Sequence, residues 1–513
     1  MGSGSEQPGC DRGCPYIDLH DDTDSGHPCV SVSIATGRRA LAARLGEATR
    51  LLSTHANQCY RLGGRTADQR LPANAMSTLY WLTDDLRLQD NPALMAAAQD
   101  NALTLVYCLD EQRFTSDRFG NRPIGAHRWQ FICESLLDLE SALEKRGQVL
   151  HLIEGNPGKV MFDLLSTEKF NRVIRSRQHG NDNSGIWATL QERFSTILFE
   201  AYDSATLYLE QTVQFNQKFP ATFSNFRRAL ESKAFRESVQ TPSGLPATIQ
   251  LDLPALDLTE TRVPGRSPVG GARSGEQSLA NYFSTNAAST YKETRNQFFG
   301  ENFSTGFSPW LAQGCLSPVQ ILLQLQQYEL QQGANESTQW ILFELLWREF
   351  FRWHAKHHEG TLFSFTGVTG QRPLTTFYSE RFHRWRTGRT PWPIVNACMN
   401  QLTQTGLLSN RGRQIAASCL VNELNLDWRC GAGYFAEQLI DYDACSNWGN
   451  WQYIAGVGSD PRGGRHFNLE KQAETWDPQG IYREYWAGET VSRPLDSFDY
   501  YAWPTEVGKH DAP

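Results

Sequence analysis

Residues 441–453, DYDACSNWGNWQY, bring two carboxylates, an amide and two indoles into one short segment. Asp441 and Asp443 are two apart, Asn447 follows, and Trp448 and Trp451 bracket Gly449 and Asn450. Gly449 suits a turn, which would aim side chains from both ends into one space. Acids beside a fixed amide and stacked rings suit a planar heterocycle that carries a ribose or ribityl chain. Taken alone, so short a motif reads better as a structural turn with two core tryptophans.

Residues 340–413 add a second kind of chemistry. Ten basic residues (Arg348, Arg352, Lys356, Arg372, Arg381, Arg384, Arg386, Arg389, Arg411, Arg413) stand against four acids, inside a chain of net charge −8. Trp340, Trp347, Trp353, Trp385 and Trp392 are interleaved with them. Cations among aromatics suit single-stranded nucleic acid, where phosphates meet Arg and bases stack on rings. A solvated helical face over a tryptophan core explains the same pattern equally well. Glu344 and Arg348 have i,i+4 spacing, and Trp347 shares their helical side, so one carboxylate and one indole could face a base. In 306–318, GFSPWLAQGCLSP, backbone N–H groups ahead of a helix could cradle phosphate.

The elements that must position these residues fall into two halves. LYWL (79–82), TLVYCL (104–109), VLHLI (149–153) and RVIRS (172–176) read as strands, with helices over about 92–99, 125–146 and 157–168. Asn91–Pro92 supplies an N-cap and a first-turn proline. This alternation predicts an α/β domain with a parallel sheet over 76–205. No GxGxxG follows the first strand, so a dinucleotide site there is unsupported. Residues 206–276, Pro- and Gly-rich from 240, read as an interdomain linker. Apolar residues at 3.6 spacing predict an all-α domain over 277–490, and 491–513 forms a tail.

Residues 1–75 differ in composition, and the expectation is a disordered extension or a true start at Met76. Asp18, Asp21, Asp22 and Asp24 count against a transit peptide, although organellar targeting stays open. No run of 18 apolar residues exists, so no membrane span is expected. Eleven scattered cysteines without a CxxC pair indicate reduced, intracellular thiols.

Five ordered motifs, LYWLTDDLRLQDNPAL, FSTGFSPWLAQGCLSP, FELLWREFFRW, SNRGRQIAAS and DYDACSNWGNWQYIAGVGSD, resemble the photolyase/cryptochrome family over about 77–490. Gln414 and Tyr453 stand where many repair enzymes have Met and Trp, and so look like the DASH branch. The resemblance implies an FAD held in a bent shape by the helical domain. Tyr291, Arg295 and the loop Ser304, Thr305, Gly306, Phe307, Ser308 match its phosphate and ribityl contacts. Arg413 and Asp441 match an ion pair flanking the isoalloxazine, Tyr442 and Asp443 further contacts, and Asn447 the side chain at flavin N5. Glu344, Trp347, Arg348, Asn410, Arg411, Gln414 and Tyr453 match lesion-contacting positions. Trp451 and Trp428 match the inner members of a tryptophan chain that reduces the flavin.

The implied activity is light-driven repair of cyclobutane pyrimidine dimers, preferentially in single-stranded DNA, by electron transfer from reduced FAD. RNA and duplex DNA stay open as partners, and a monomer is expected. The alternatives are a blue-light photoreceptor that binds flavin and nucleic acid without repair, and a helical nucleic-acid binder with no cofactor. The chain departs from the family in three places. Thr375 replaces the outermost relay tryptophan, with Phe377 or, better, Tyr378 as the nearest substitute. His179 replaces the Glu that binds a methenyltetrahydrofolate antenna, which counts against that pigment. Gly306 replaces a Lys or Arg in the phosphate loop.

Overall fold

Ser77–Leu82 (β1) and Ala102–Leu109 (β2) are continuous apolar runs buried along their whole length, as strands covered on both faces must be. With Leu150–Glu154 (β3), Arg172–Ser176 (β4) and Leu198–Tyr202 (β5) they form a parallel sheet of order β3-β2-β1-β4-β5. The computed structural model describes residues 76–180, 183–215, 219–251, 258, 268–459 and 463–489. The expectations for 1–75 and 491–513 lie outside the described residues. Helices Pro92–Ala97 (α1), Ala126–Glu144 (α2), Pro157–Leu165 (α3) and Asn183–Arg193 (α4) alternate with the strands. Asn91 caps α1 through Leu94 N, and Asn156 caps α3 through Lys159 N, each with Pro in the first turn.

The last strand and its preceding helix were not anticipated. β5 is an edge strand, partly exposed and interrupted by Glu200, so it lacks the apolar run that marks the inner strands. Phe223–Leu230 (α5) lies in the stretch read as linker. Thr222 caps it, and Phe223, Phe226 and Leu230 are buried at i, i+3 and i+7.

The remainder is helical: Ala272–Phe283 (α6), Tyr291–Thr294 (α7), Ser308–Ala312 (α8), Pro318–Gln332 (α9), Glu336–His357 (α10), Ser379–Arg386 (α11), Pro393–Thr405 (α12), Asn410–Ser418 (α13), Trp428–Gln438 (α14), Ala444–Ala455 (α15), Leu469–Trp476 (α16) and Ile481–Tyr485 (α17). Capping boxes start α9 (Ser317 with Gln320) and α10 (Asn335 with Thr338). One hydrophobic cluster runs from Tyr80 and Leu105 in the sheet to Phe350 and Phe351 on α10. A second surrounds Trp385, Trp428 and Trp451. Buried polar ties join the halves. Arg87 donates to the Gly314 carbonyl at 2.8 Å, and Leu207 N donates to Glu349 at 2.6 Å.

Gly449 sits inside α15 rather than in a turn. A Cβ there would lie 2.3 Å from Phe351 Cδ1, so the glycine lets α15 close directly onto α10. Its missing side chain serves packing, and its backbone freedom is not used. This correction matters for the site, because it is α15 against α10 that brings Tyr453 to Trp347.

Candidate functional site

Asp441 stands between α14 and α15, with its side chain 3% exposed. Its Oδ2 accepts from Arg413 Nη2 at 2.7 Å and from Ser308 Oγ at 2.6 Å. Its Oδ1 is buried and has no partner among the described residues. A buried carboxylate oxygen without a donor is costly unless something else supplies one. Arg413 is steadied by Nε donating to the Leu408 carbonyl at 2.9 Å, and Ser409 caps α13, which carries it. Asn447 is held by Nδ2 donating to the Ala432 carbonyl at 3.1 Å. In the loop before α8, Phe307 is buried against Tyr282 and Phe283. Ser304 and Thr305 stay half-exposed and Gly306 and Ser308 exposed. Gly306 has φ +66, with open space where a Cβ would stand. The loop is thus anchored by one ring and leaves hydroxyls and backbone uncovered beside Asp441.

A second group lies along α10. Glu344 accepts from Arg295 Nη1 at 2.7 Å and from Trp340 Nε1 at 3.1 Å. Burial raises its pKa against the pull of Arg295. Tyr291, one turn before Arg295, is buried, and burial pushes its hydroxyl pKa up. Trp347 is stacked on Phe223 (centroids 3.9 Å apart, planes at 11°) and meets Tyr453 edge-on at 5.9 Å. The guanidinium of Arg465 lies over the other aromatic of this pair, 5.0 Å from the Tyr453 ring centre. Arg411 donates to Asn296 Oδ1 at 3.0 Å and lies over Trp476 at 5.0 Å. Asn410 is exposed and Gln414 half-buried on the same helix as Arg413. So the 304–308 loop, α13 and the α14–α15 junction bring Ser308, Arg413 and Asp441 together, and α10 and α15 bring Trp347 and Tyr453 together.

Other expected residues are placed differently. Arg348 does not pair with Glu344. It donates to the Ala205 and Leu311 carbonyls at 2.6 and 3.4 Å, and burial beside Arg352 lowers its pKa to about 10. It faces the inter-half packing, because an α10 side chain four residues on finds the sheet half instead of the rim. Asp443 caps α15 through Ser446 N at 2.8 Å and pairs with Arg352 at 2.6 Å. Burial alone would raise its pKa, but Arg352 and Arg348 hold it at about 2. Tyr442 accepts from Trp448 Nε1 at 3.0 Å and has Arg128 over its ring, so protein groups occupy its hydroxyl and one face. The ten basic residues do not share a face: Arg352 and Arg384 are buried in ion pairs, while Arg372 and Arg389 are exposed.

Trp451 is 2% exposed and meets Trp385 and Phe435 edge-on at 6.2 and 5.1 Å. Trp428 is fully buried, donates to the Phe365 carbonyl and meets Trp448 at 5.6 Å. Near the outer relay position, Thr375 has a buried hydroxyl with no partner among the described residues. Phe377 packs on Phe119 and Phe382, and Tyr378 is 48% exposed with Arg381 over its ring. His179 is buried edge-on to Trp353, both ring nitrogens unpartnered, and burial drives its pKa well below the usual histidine value.

Phe223 and Arg465 were missed by sequence reasoning. The Thr222 cap with apolar spacing at 223, 226 and 230 was the readable signal for the first. Nothing local marked the second. Among the described residues no His/Cys/Asp/Glu group could hold a metal, and no helix is long and apolar enough to cross a membrane.

A half-satisfied buried carboxylate beside a fixed guanidinium and a hydroxyl-bearing loop, in a helical half joined to a parallel sheet, suits a protein that holds a polar cofactor. The family model described as DNA photolyase matches residues 78–246, and the FAD binding domain of DNA photolyase matches 340–510. A cryptochrome DASH of Idiomarina loihiensis is 45% identical over 430 residues, covering 83% of this chain and 96% of the relative. One of Vibrio parahaemolyticus is 43% identical over 433 residues, with the same coverage of 83% and 96%. The solved structure of a Synechocystis cryptochrome superposes with a TM-score of 0.77 at 36% identity, covering 84% of this chain and 91% of that one. The chain belongs to the photolyase/cryptochrome family, in its cryptochrome DASH branch, and FAD is its cofactor.

Proposed function

We propose that the chain repairs cyclobutane pyrimidine dimers in single-stranded DNA in a light-driven reaction. The observation that supports this reading is Asp441, one oxygen paired with Arg413 and Ser308 and the other bare, in a helical half that also carries Glu344 and the Trp347–Tyr453 ring pair. The residues present suit FAD, because Asp441 Oδ1 needs a donor and the 304–308 loop offers uncovered hydroxyls and backbone. Ser308, Arg413, Asp441 and Asn447 would hold it. Bound there, FAD would supply light-driven electron-transfer chemistry with no net redox change.

The protein's own residues do the rest. Arg413 and Asp441 are poised as a fixed dipole, oriented by the Leu408 carbonyl and Ser308, so little reorganisation is needed when charge shifts nearby. Glu344, with its pKa raised by burial, is suited to hydrogen-bond a pyrimidine carbonyl or N–H. Trp347 and Tyr453 are set at right angles (88°), matching a bent dimer better than a flat base pair. A dimer must leave the base stack to reach them, at a cost of a few kcal/mol in duplex and less where pairing is absent. That difference favours single strands.

The test is blue-light repair of a dimer in oligo(dT), comparing wild type with Glu344→Ala. The variant should keep its FAD and lose repair rate by at least tenfold. Unchanged repair, or loss of FAD, would overturn the role given to Glu344.

A further inference from the structure

Trp340 has no part in the function proposed above, yet it touches Glu344 directly. The two are four apart on α10, and a long side chain on a helix leans toward the N-terminus, so Glu344 folds back over Trp340. The indole Nε1 donates to Glu344 Oε1 at 3.1 Å, and Arg295 Nη1 donates to the same oxygen at 2.7 Å. Among the described residues no donor reaches Oε2. The Glu344 side chain is 37% exposed, so a ligand can meet it while Oε1 is held.

A third contact closes these side chains into a triangle: the Arg295 guanidinium lies over the Trp340 ring, 4.9 Å from its centre. The ring is also stacked with Phe343 (centroids 5.3 Å apart, planes at 29°), and Lys292 Nζ lies 5.9 Å from its centre. Lys292 N donates to Ser337 Oγ at 3.0 Å, and Ser337 Oγ donates to Glu293 at 2.9 Å. These bonds tie α7, and Arg295 at its end, to the first turn of α10. Turning the indole away would break its stacking and both cation contacts. The Glu344 carboxyl has no such restraint of its own, because rotation about its last bond is broad and roughly two-fold. Two donors converging on one oxygen remove that freedom.

We propose that Trp340 is a positioning residue for the reaction: its indole N–H, together with Arg295, pins Oε1 of Glu344, so that Oε2 is the oxygen presented to the dimer. This rests on the function proposed above and names what orients its glutamate. A packing role would need the ring of Trp340 and not its N–H, and substitution separates the two.

The experiment measures kcat and KM for blue-light repair of a dimer in oligo(dT) by the FAD-loaded full chain. Wild type is compared with Trp340→Phe, Glu344→Ala and the double variant. Trp340→Phe keeps an aromatic ring and loses the N–H. It should lower kcat about three- to tenfold, with KM and the flavin-to-protein absorbance ratio unchanged. Because Trp340 acts through Glu344, adding Trp340→Phe to Glu344→Ala should change kcat by less than about twofold. If the smaller ring destabilises the chain in thermal unfolding, replacing Trp340 by benzothienylalanine, which has sulfur in place of the N–H and the same outline, carries the same expectation. Wild-type kcat in the Trp340 variant would overturn the inference, as would a change confined to KM. A loss that persists in full on Glu344→Ala would mark a packing role and overturn it too. If wild type repairs no dimer, or Glu344→Ala repairs as well as wild type, the function proposed above falls and takes this inference with it.

Discussion

Asp441→Ala separates a cofactor contact from an ordinary buried ion pair. In the native chain Oδ2 is taken by Arg413 and Ser308, and Oδ1 is buried without a donor. A charge-assisted hydrogen bond to that bare oxygen is worth about 1.5–3 kcal/mol. At 1.4 kcal/mol per tenfold, its loss should weaken FAD binding by about 10- to 150-fold. The protein itself should lose less, roughly 1–2 kcal/mol, because the Arg413 side chain is 30% exposed and stays hydrated when unpaired. Asp477→Asn is the control: Asp477 is as deeply buried, pairs with Arg483 at 2.9 Å, and receives backbone donors from Tyr482 and Arg483. It should cost stability and leave FAD affinity alone. Affinity is read by flavin fluorescence titration of the apoprotein, and stability by thermal unfolding without FAD. Wild-type affinity in Asp441→Ala, or an equal loss in Asp477→Asn, would refute the reasoning.

Three further outcomes follow from the packing and the charges. Gly449→Ala drives a Cβ into Phe351 and should cost about 1–3 kcal/mol while lowering FAD occupancy, read as a reduced flavin-to-protein absorbance ratio. Arg348→Met should lower the melting temperature and leave strand affinity unchanged, since its guanidinium serves two backbone carbonyls; weaker strand binding at native stability would contradict that placement. Burial, then His358 and His357, lowers the His354 pKa to about 3. The unfolded chain therefore takes up the proton first, and stability falls as pH drops below about 6.5 and goes on falling toward 3. Between pH 7 and 5 this histidine alone accounts for about 2 kcal/mol, so His354→Gln should flatten the loss of melting temperature over that range.

The inner strands were legible because a sheet covered on both faces demands unbroken apolar runs, and β1 and β2 have them. β5 was not, because an edge strand needs no such run. Local spacing misled at two points. Gly449 has the residue type of a turn, but its use is set by Phe351, which is far away in sequence. Glu344 and Arg348 have the spacing of a helix pair, yet Glu344 finds Arg295, and Arg348 finds carbonyls of the other half. Asp443 could have been read as an N-cap from its place ahead of an apolar helix. Arg413 and Asp441 were joined by resemblance alone: nothing in a gap of 28 residues tells a chain reader that two charges will meet.

A crystal structure of the chain with FAD bound, at a resolution that places the flavin atoms, tests the arrangement most directly. The account predicts the cofactor between Ser308, Arg413 and Asn447, with a donor within hydrogen-bond distance of Asp441 Oδ1. FAD bound elsewhere, or Oδ1 still without a partner in the loaded protein, would contradict it.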